Sequence, residues 1–258
     1  MEPGGPRFPD LDGKVAFVTG GSQGIGRATC RLLAANGCRV VVVARSPRPL
    51  AEAVGEIIRD GGTAMAVEAD ASHPSALAAA RARAEDEFGS VDIVLPYAGG
   101  FESFSPVWET SLEEWEGVLK ANLTTSFLAL REFMPSMIER QSGAIVLMSS
   151  VSGRFLDKLT TASYAAAKAG VLMLMRHAAI EAAPFNVRVN AIAPATVSTE
   201  RIKRIMDPEA IARTAGLSPL GRIGTPEDCA SASAFLASEA AGWITGVTID
   251  VAGGRVML

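Results

Sequence analysis

The chain has 258 residues, 48% of them hydrophobic and 20% charged, enough to bury the core of one α/β domain. Its formal net charge of -4, with no lysine-arginine run, argues against a nucleic-acid partner, and its greasiest segment, 171–175, is too short and too closely flanked by Lys168 and Arg176 to span a membrane. Two histidines and three cysteines lack metal-ligand spacing; Cys30, Cys38 and Cys229 read as reduced core thiols of a cytoplasmic protein.

Residues 1–10 read as a flexible tail without the basic start and apolar centre of a signal peptide, and 11–258 as one domain. From Lys14 onward, apolar runs bounded by turns alternate with alanine-rich helical stretches, the pattern of βαβ units in a parallel sheet. A first strand at 15–18 leads into Thr19-Gly20-Gly21-Ser22-Gln23-Gly24-Ile25-Gly26 and a helix closed by Gly37. Glycines between a strand and a helix let the backbone approach a phosphate while the first-turn N–H groups face it. An ordinary tight turn is the alternative. Gly20, Gly24 and Gly26 after the first strand favour phosphate binding, although their spacing is not the common G-x-G-x-x-G.

The second strand, 39–44, is nearly all valine, as in a strand buried on both faces. Dinucleotide folds place an acidic residue near this point for ribose hydroxyls, or a basic one for a 2′-phosphate. Arg45 ends this strand with Arg48 close behind, so NADP(H) is expected in preference to NAD(H), unless Arg45 merely solvates the strand end. After a third strand at 64–68, Asp70 either accepts from the adenine amino group or caps the helix starting near Pro74. A fourth strand at 91–95 ends in Pro96-Tyr97-Ala98-Gly99-Gly100, and Phe101, Phe104 and Trp108 follow as a substrate wall or a packed loop.

The next long helix contains Asn122, which needs hydrogen-bond partners if buried. A fifth strand, 144–148, delivers Ser149 and Ser150 to the sheet's carboxyl edge. Tyr164 and Lys168 then lie four apart on a helix running to about 183, so their side chains share a face. A lysine charge at roughly 4 Å in an effective dielectric of about 20 would favour the phenolate by about 4 kcal/mol, or some three pKa units before desolvation. The same spacing also describes a lysine snorkelling beside a packed ring. A sixth strand, 186–192, precedes Pro194-Ala195-Thr196-Val197-Ser198-Thr199, and a polar segment at about 198–218 is expected to act as a lid. A last helix at 226–238 and a seventh strand at 247–251 complete the series.

With these residues in this order, the chain resembles the short-chain dehydrogenase/reductase family, in its single-domain branch near the 3-oxoacyl-carrier-protein reductases and polyketide-type ketoreductases. The matching positions are Thr19 to Gly26, Asp70, Ala98-Gly99, Asn122, Ser150, Tyr164, Lys168, Pro194 through Thr199, and Ile244-Thr245-Gly246. The resemblance implies a Rossmann-like, doubly wound, mostly parallel seven-stranded sheet with helices on both faces. It implies that Tyr164 exchanges a proton with the substrate oxygen, Lys168 lowers the phenol pKa and holds the nicotinamide ribose, Ser150 stabilises the carbonyl oxygen, and Asn122 positions a water linking Lys168 to solvent. Gly20, Ser22, Gln23, Gly24, Ile25 and Gly26 would cradle the cofactor phosphates, with Ala98, Gly99, Pro194, Val197 and Thr199 along the rest of the cofactor. The implied reaction is hydride transfer between NADP(H) and a small, apolar carbonyl or secondary alcohol, in a homotetramer or homodimer; the competing class is a silent cofactor-binding sensor or scaffold. The chain departs from the family pattern at Pro96-Tyr97, where two asparagines are usual, and at Ala195, where glycine is. The Ser150–Tyr164 spacing is one residue longer than in many relatives, which suggests a bulge at 154–160 and leaves Ser149 as a second candidate for the serine role.

Overall fold

Each apolar run folds as a strand, and the computed structural model describes residues 5–101, 104–156 and 160–257. The first half alternates β1 (Val15–Thr19), α1 (Gly24–Ala35), β2 (Arg39–Ala44), α2 (Pro47–Arg59), β3 (Thr63–Glu68), α3 (Pro74–Phe88) and β4 (Ile93–Pro96). The second half adds α4 (Leu112–Leu119), α5 (Thr125–Arg140), β5 (Gly143–Met148), α6 (Ala162–Ala182), β6 (Val187–Pro194), α7 (Glu200–Ile205), α8 (Pro208–Ala215), α9 (Pro226–Ala237) and β7 (Thr248–Val251). All seven strands pair in parallel, in the order β3-β2-β1-β4-β5-β6-β7.

Side chains alternate across a strand, so neighbouring valines serve opposite layers. Phe17, Val41 and Val43 pack with Leu77, Phe133 and Met175 from α3, α5 and α6. Val18, Val40 and Val42 pack with Leu33, Ile57 and Leu236 from α1, α2 and α9. Both faces are therefore apolar, which is why the strands show no polar alternation. Each fully buried aliphatic side chain contributes about 1.5–3 kcal/mol. Because β1 pairs with β2 on one side and β4 on the other, the winding reverses there and opens a crevice at the strands' carboxyl ends.

Three elements differ from expectation. The single long helix expected around Asn122 is two helices, α4 and α5, joined by a wide π-type turn over Lys120–Thr124. β4 begins later than expected because Asp92 turns its carboxylate back to accept from the Val15 N–H at 2.9 Å. It also runs on to Pro96, whose missing N–H does no harm there: the ladder to β5 stops at Val94. The polar segment near 198–218 folds as α7 and α8, opened by caps in which Thr199 accepts from Ile202 N–H at 3.3 Å and Asp207 from Ala210 N–H at 2.7 Å. At the amino end, Asn36 accepts from Phe8 N–H at 2.7 Å and donates to the Pro6 carbonyl at 3.1 Å, tying down the second half of the expected tail; residues 1–4 lie outside the described residues.

Candidate active site

The crevice beside β1 is shaped to receive a dinucleotide. Gly20 has φ 68°, and a Cβ there would come within 2.9 Å of the Tyr97 and Ala98 backbone. A Cβ on Gly26 would strike the Gly20 carbonyl, so α1 can begin this close to β1 only with glycine at that position. Gln23, the N-cap of α1, makes no side-chain cap bond, and the first turn carries no acidic residue. Its N–H groups and the positive end of its dipole are thus left for an anion, and this part of the chain fits a cofactor diphosphate. Ser22 is buried in the same turn, and the Thr199 methyl faces Gly24 across the crevice.

Arg45 is exposed just beyond β2 and makes no ion pair among the described residues, whereas Arg48 is paired with Glu52 at 3.1 Å. Asp70 accepts from the Ser72 N–H at 2.9 Å and lies 3.5 Å from His73 Nδ1, so it organises the turn into α3. Ala98 N–H donates to the Thr19 hydroxyl at 3.2 Å, which holds the Ala98-Gly99 segment over β1.

Tyr164 and Lys168 lie in the first half of α6, whose N-cap Thr161 accepts from the Tyr164 N–H at 3.3 Å. The Ser150 hydroxyl lies near enough to the Tyr164 phenol to favour its ionised form, and it accepts from Ser152 N–H at 3.2 Å. Ser149 is committed elsewhere: its hydroxyl donates to the Lys168 carbonyl at 2.9 Å. The structure thus places Ser150, and not Ser149, beside the phenol. Lys168 is buried, and its Nζ donates to the Met148 carbonyl at 2.8 Å while lying 5.4 Å from the centroid of the Tyr164 ring.

That arrangement corrects the electrostatic expectation for the pair. Burial pushes the Tyr164 phenol up to about 12, opposed by the Ser150 hydrogen bond and the Arg201 charge. Lys168 is not among the groups that lower it; burial brings the ammonium down to about 7. Desolvation disfavours charge on both partners, and at this separation it outweighs their mutual attraction.

Asn122 sits in the wide turn with every side-chain polar atom engaged. Its Oδ1 accepts from the Gly100 N–H at 2.9 Å, and its Nδ2 donates to the carbonyls of Gly100 at 2.8 Å and Val118 at 2.9 Å. An amide that captures local backbone groups in this way competes with regular helix and accounts for the widened turn. Leu123 from this turn packs into the space that Gly170 leaves on α6. Gly100 leads to Phe101, whose ring lies 4.7 Å from Tyr164 and 5.2 Å from Phe104; Phe104 and Trp108 are both exposed. Across Phe101, the Arg201 guanidinium of α7 sits 5.0 Å from the ring centroid.

The departures from the family pattern find physical answers. Tyr97 is buried and its hydroxyl donates to Ser233 on α9 at 2.6 Å, bracing β4 from the other face. Ala195 has no left-handed φ and donates its N–H to Val251 at 3.1 Å, so no glycine is needed. The bulge expected at 154–160 includes residues 157–159, which lie outside the described residues. Sequence reading missed the Arg154–Asp250 ion pair of 2.7 Å, which pins the loop after Ser150 to β7; no local pattern marks two residues so far apart. Nothing in the local sequence shows that the Arg201 head group reaches the Phe101 ring.

A family model described as enoyl-(acyl carrier protein) reductase matches residues 20–255. The chain is 40% identical to 3beta-hydroxysteroid dehydrogenase 1 of Eggerthella lenta, over 97% of this chain and 96% of that one. It is 38% identical to the 3-oxoacyl-(acyl-carrier-protein) reductase FabG of Vibrio cholerae, over 96% of this chain and 100% of the relative. A crystal structure of a 3-oxoacyl-(acyl-carrier protein) reductase with bound NAD from Brucella melitensis superposes with a TM-score of 0.89 at 32% identity, covering 97% of this chain and 94% of that one.

Proposed function

The chain belongs to the short-chain dehydrogenase/reductase family of oxidoreductases, and from that premise we propose that it transfers hydride between NADP(H) and a carbonyl or secondary alcohol on a small, largely apolar molecule. The observation that carries this reading is the Tyr164 phenol facing the Ser150 hydroxyl at the carboxyl end of β5, with Lys168 one turn further along α6. A phenol held neutral by burial is a proton donor, and it would deliver its proton to the substrate oxygen or take it back in the oxidative direction. Ser150 would donate to the same oxygen as charge develops on it. Lys168 would hold the ribose hydroxyls on the nicotinamide side, and Asn122 would keep the wide turn open beside α6 for a water that relays protons to solvent.

Bound cofactor would supply or accept the hydride. The residues around it would be Gly20, Ser22, Gln23, Gly24, Ile25 and Gly26 at the phosphates, Asp70 at the adenine, and Ala98, Gly99, Pro194, Val197 and Thr199 toward the nicotinamide. NADP(H) is favoured over NAD(H) because Arg45 is exposed at the end of β2 with no ion pair among the described residues, where a 2′-phosphate would meet it. The apolar walls of Phe101 and Phe104 favour a substrate with an apolar body, and the two relatives above are named for a hydroxysteroid and a 3-oxoacyl chain. α7 and α8 would close over it as a lid. Exposed Phe127, Met173, Ile180 and Trp243 supply apolar faces for assembly as a homotetramer or homodimer, which a monomer mass by light scattering at micromolar concentration would refute.

The test is a panel of ketones and secondary alcohols assayed with NADPH, NADH and their oxidised forms. Turnover that Tyr164→Phe lowers by about 10²–10⁴-fold is the expected result. Cofactor binding without turnover on any of them would instead mark a sensor or scaffold.

A further inference from the structure

The side chain of Arg201 points to a more specific substrate. It begins in the first turn of α7, directly after the Val197–Thr199 segment, and passes over Gly100, where a Cβ would run into its Nη1. Its guanidinium then lies 5.0 Å from the Phe101 ring, which in turn lies 4.7 Å from the Tyr164 ring. It is close enough to the phenol for its charge to act there. Among the described residues Arg201 makes no ion pair and donates no hydrogen bond, whereas Arg27, Arg154 and Arg222 each meet a carboxylate at 2.6–2.7 Å. A half-buried guanidinium carries five donors in a planar fork matched to a carboxylate. Here that fork stands at the outer end of an apolar wall whose inner end is the proton-transferring phenol.

We infer that Arg201 is the specificity-determining residue of this site and that the substrate is a keto or hydroxy acid, its carboxylate held by Arg201 while its carbonyl or hydroxyl meets Tyr164. The inference rests on the hydride-transfer reading for the second half of that statement. One ring, that of Phe101, separates the guanidinium at 5.0 Å from the Tyr164 ring at 4.7 Å, which asks for a compact apolar body, about one ring long, between the two polar ends. Phe101 and Phe104 would flank that body. No covalent step beyond the hydride and proton exchange is involved.

The experiment measures binding of 4-acetylbenzoate and of its neutral methyl ester to the full chain by titration calorimetry, with and without oxidised cofactor, which cannot reduce the ketone. The expected result is an acid bound about 10- to 100-fold more tightly than the ester, the size of a charge-assisted bond. Arg201→Met should abolish that difference without weakening the ester, and Arg201→Lys should keep part of it, with melting temperatures showing that both variants fold. Equal binding of acid and ester, binding of neither, or a preference that survives Arg201→Met overturns the inference. The hydride reading is judged separately, by NADPH and NADH oxidation across the neutral ketone panel. Acid binding through Arg201 with no turnover of any carbonyl would remove that reading and leave the anion site in place.

Discussion

Lys168 donates from Nζ to the Met148 carbonyl at 2.8 Å, tying the first half of α6 to the last residue of β5. The bond holds the ammonium below the Ser149-Ser150 step, at a cost: burial brings its pKa from 10.5 to about 7. Below pH 7 the folded and unfolded chains both carry the proton, and the full penalty is present. Between pH 7 and 10.5 the folded chain sheds the proton that the unfolded chain retains, so the penalty fades as pH rises. Lys168→Met removes this dependence. Its melting temperature relative to wild type should be highest near pH 6 and fall steadily toward pH 10, whatever constant offset the lost Met148 bond adds. A difference that does not change with pH would show that Lys168 is charged in the folded protein across that range.

Asn122 holds both polar groups of Gly100 and so sets the position of Phe101. Asn122→Ala leaves those groups and the Val118 carbonyl without this partner, and should cost about 2–3 kcal/mol in urea unfolding. Exchange of the Gly100 amide proton should quicken by more than exchange in β5. Equal protection in the two segments would mean that the turn holds its shape without the side chain.

Arg45→Asp replaces the exposed cation at the end of β2 by the acid that suits ribose hydroxyls. Loss of one charge-assisted phosphate contact should lower the NADPH over NADH ratio of kcat/KM by about 10- to 100-fold. An unchanged ratio would place the cofactor preference elsewhere in the crevice.

Tyr97→Phe removes only the hydroxyl that meets Ser233 at 2.6 Å. The fold should lose about 1 kcal/mol, while kcat stays within a factor of two, because the bond lies on the α9 side of the sheet. A large fall in kcat with full stability would instead tie Tyr97 to the chemistry.

Much of the molecule was legible from short-range pattern. The valine run at 39–44 could only be a strand covered on both faces, and helices on both sides of the sheet follow from that. The glycine turn likewise announced itself, since a Cβ at Gly26 meets the Gly20 carbonyl only six residues earlier in the same turn. The break at Asn122 was hidden, because the apolar periodicity on either side of it continues as if through one helix. Only the folded Gly100 backbone shows what the amide is for.

The sequence by itself determined the strand order's raw material, the phosphate turn, and the meeting of Tyr164 and Lys168 on one helix face, because these follow from backbone geometry over a few residues. Only the tertiary structure decided which serine faces the phenol, since Ser149 and Ser150 are equivalent until α6 packs against β5 and claims one of them. It also decided the sign of the phenol's shift and the direction of Arg201. Desolvation depends on everything that surrounds a group, and an arginine's reach depends on what lies beneath it, and neither is carried by neighbours in the chain.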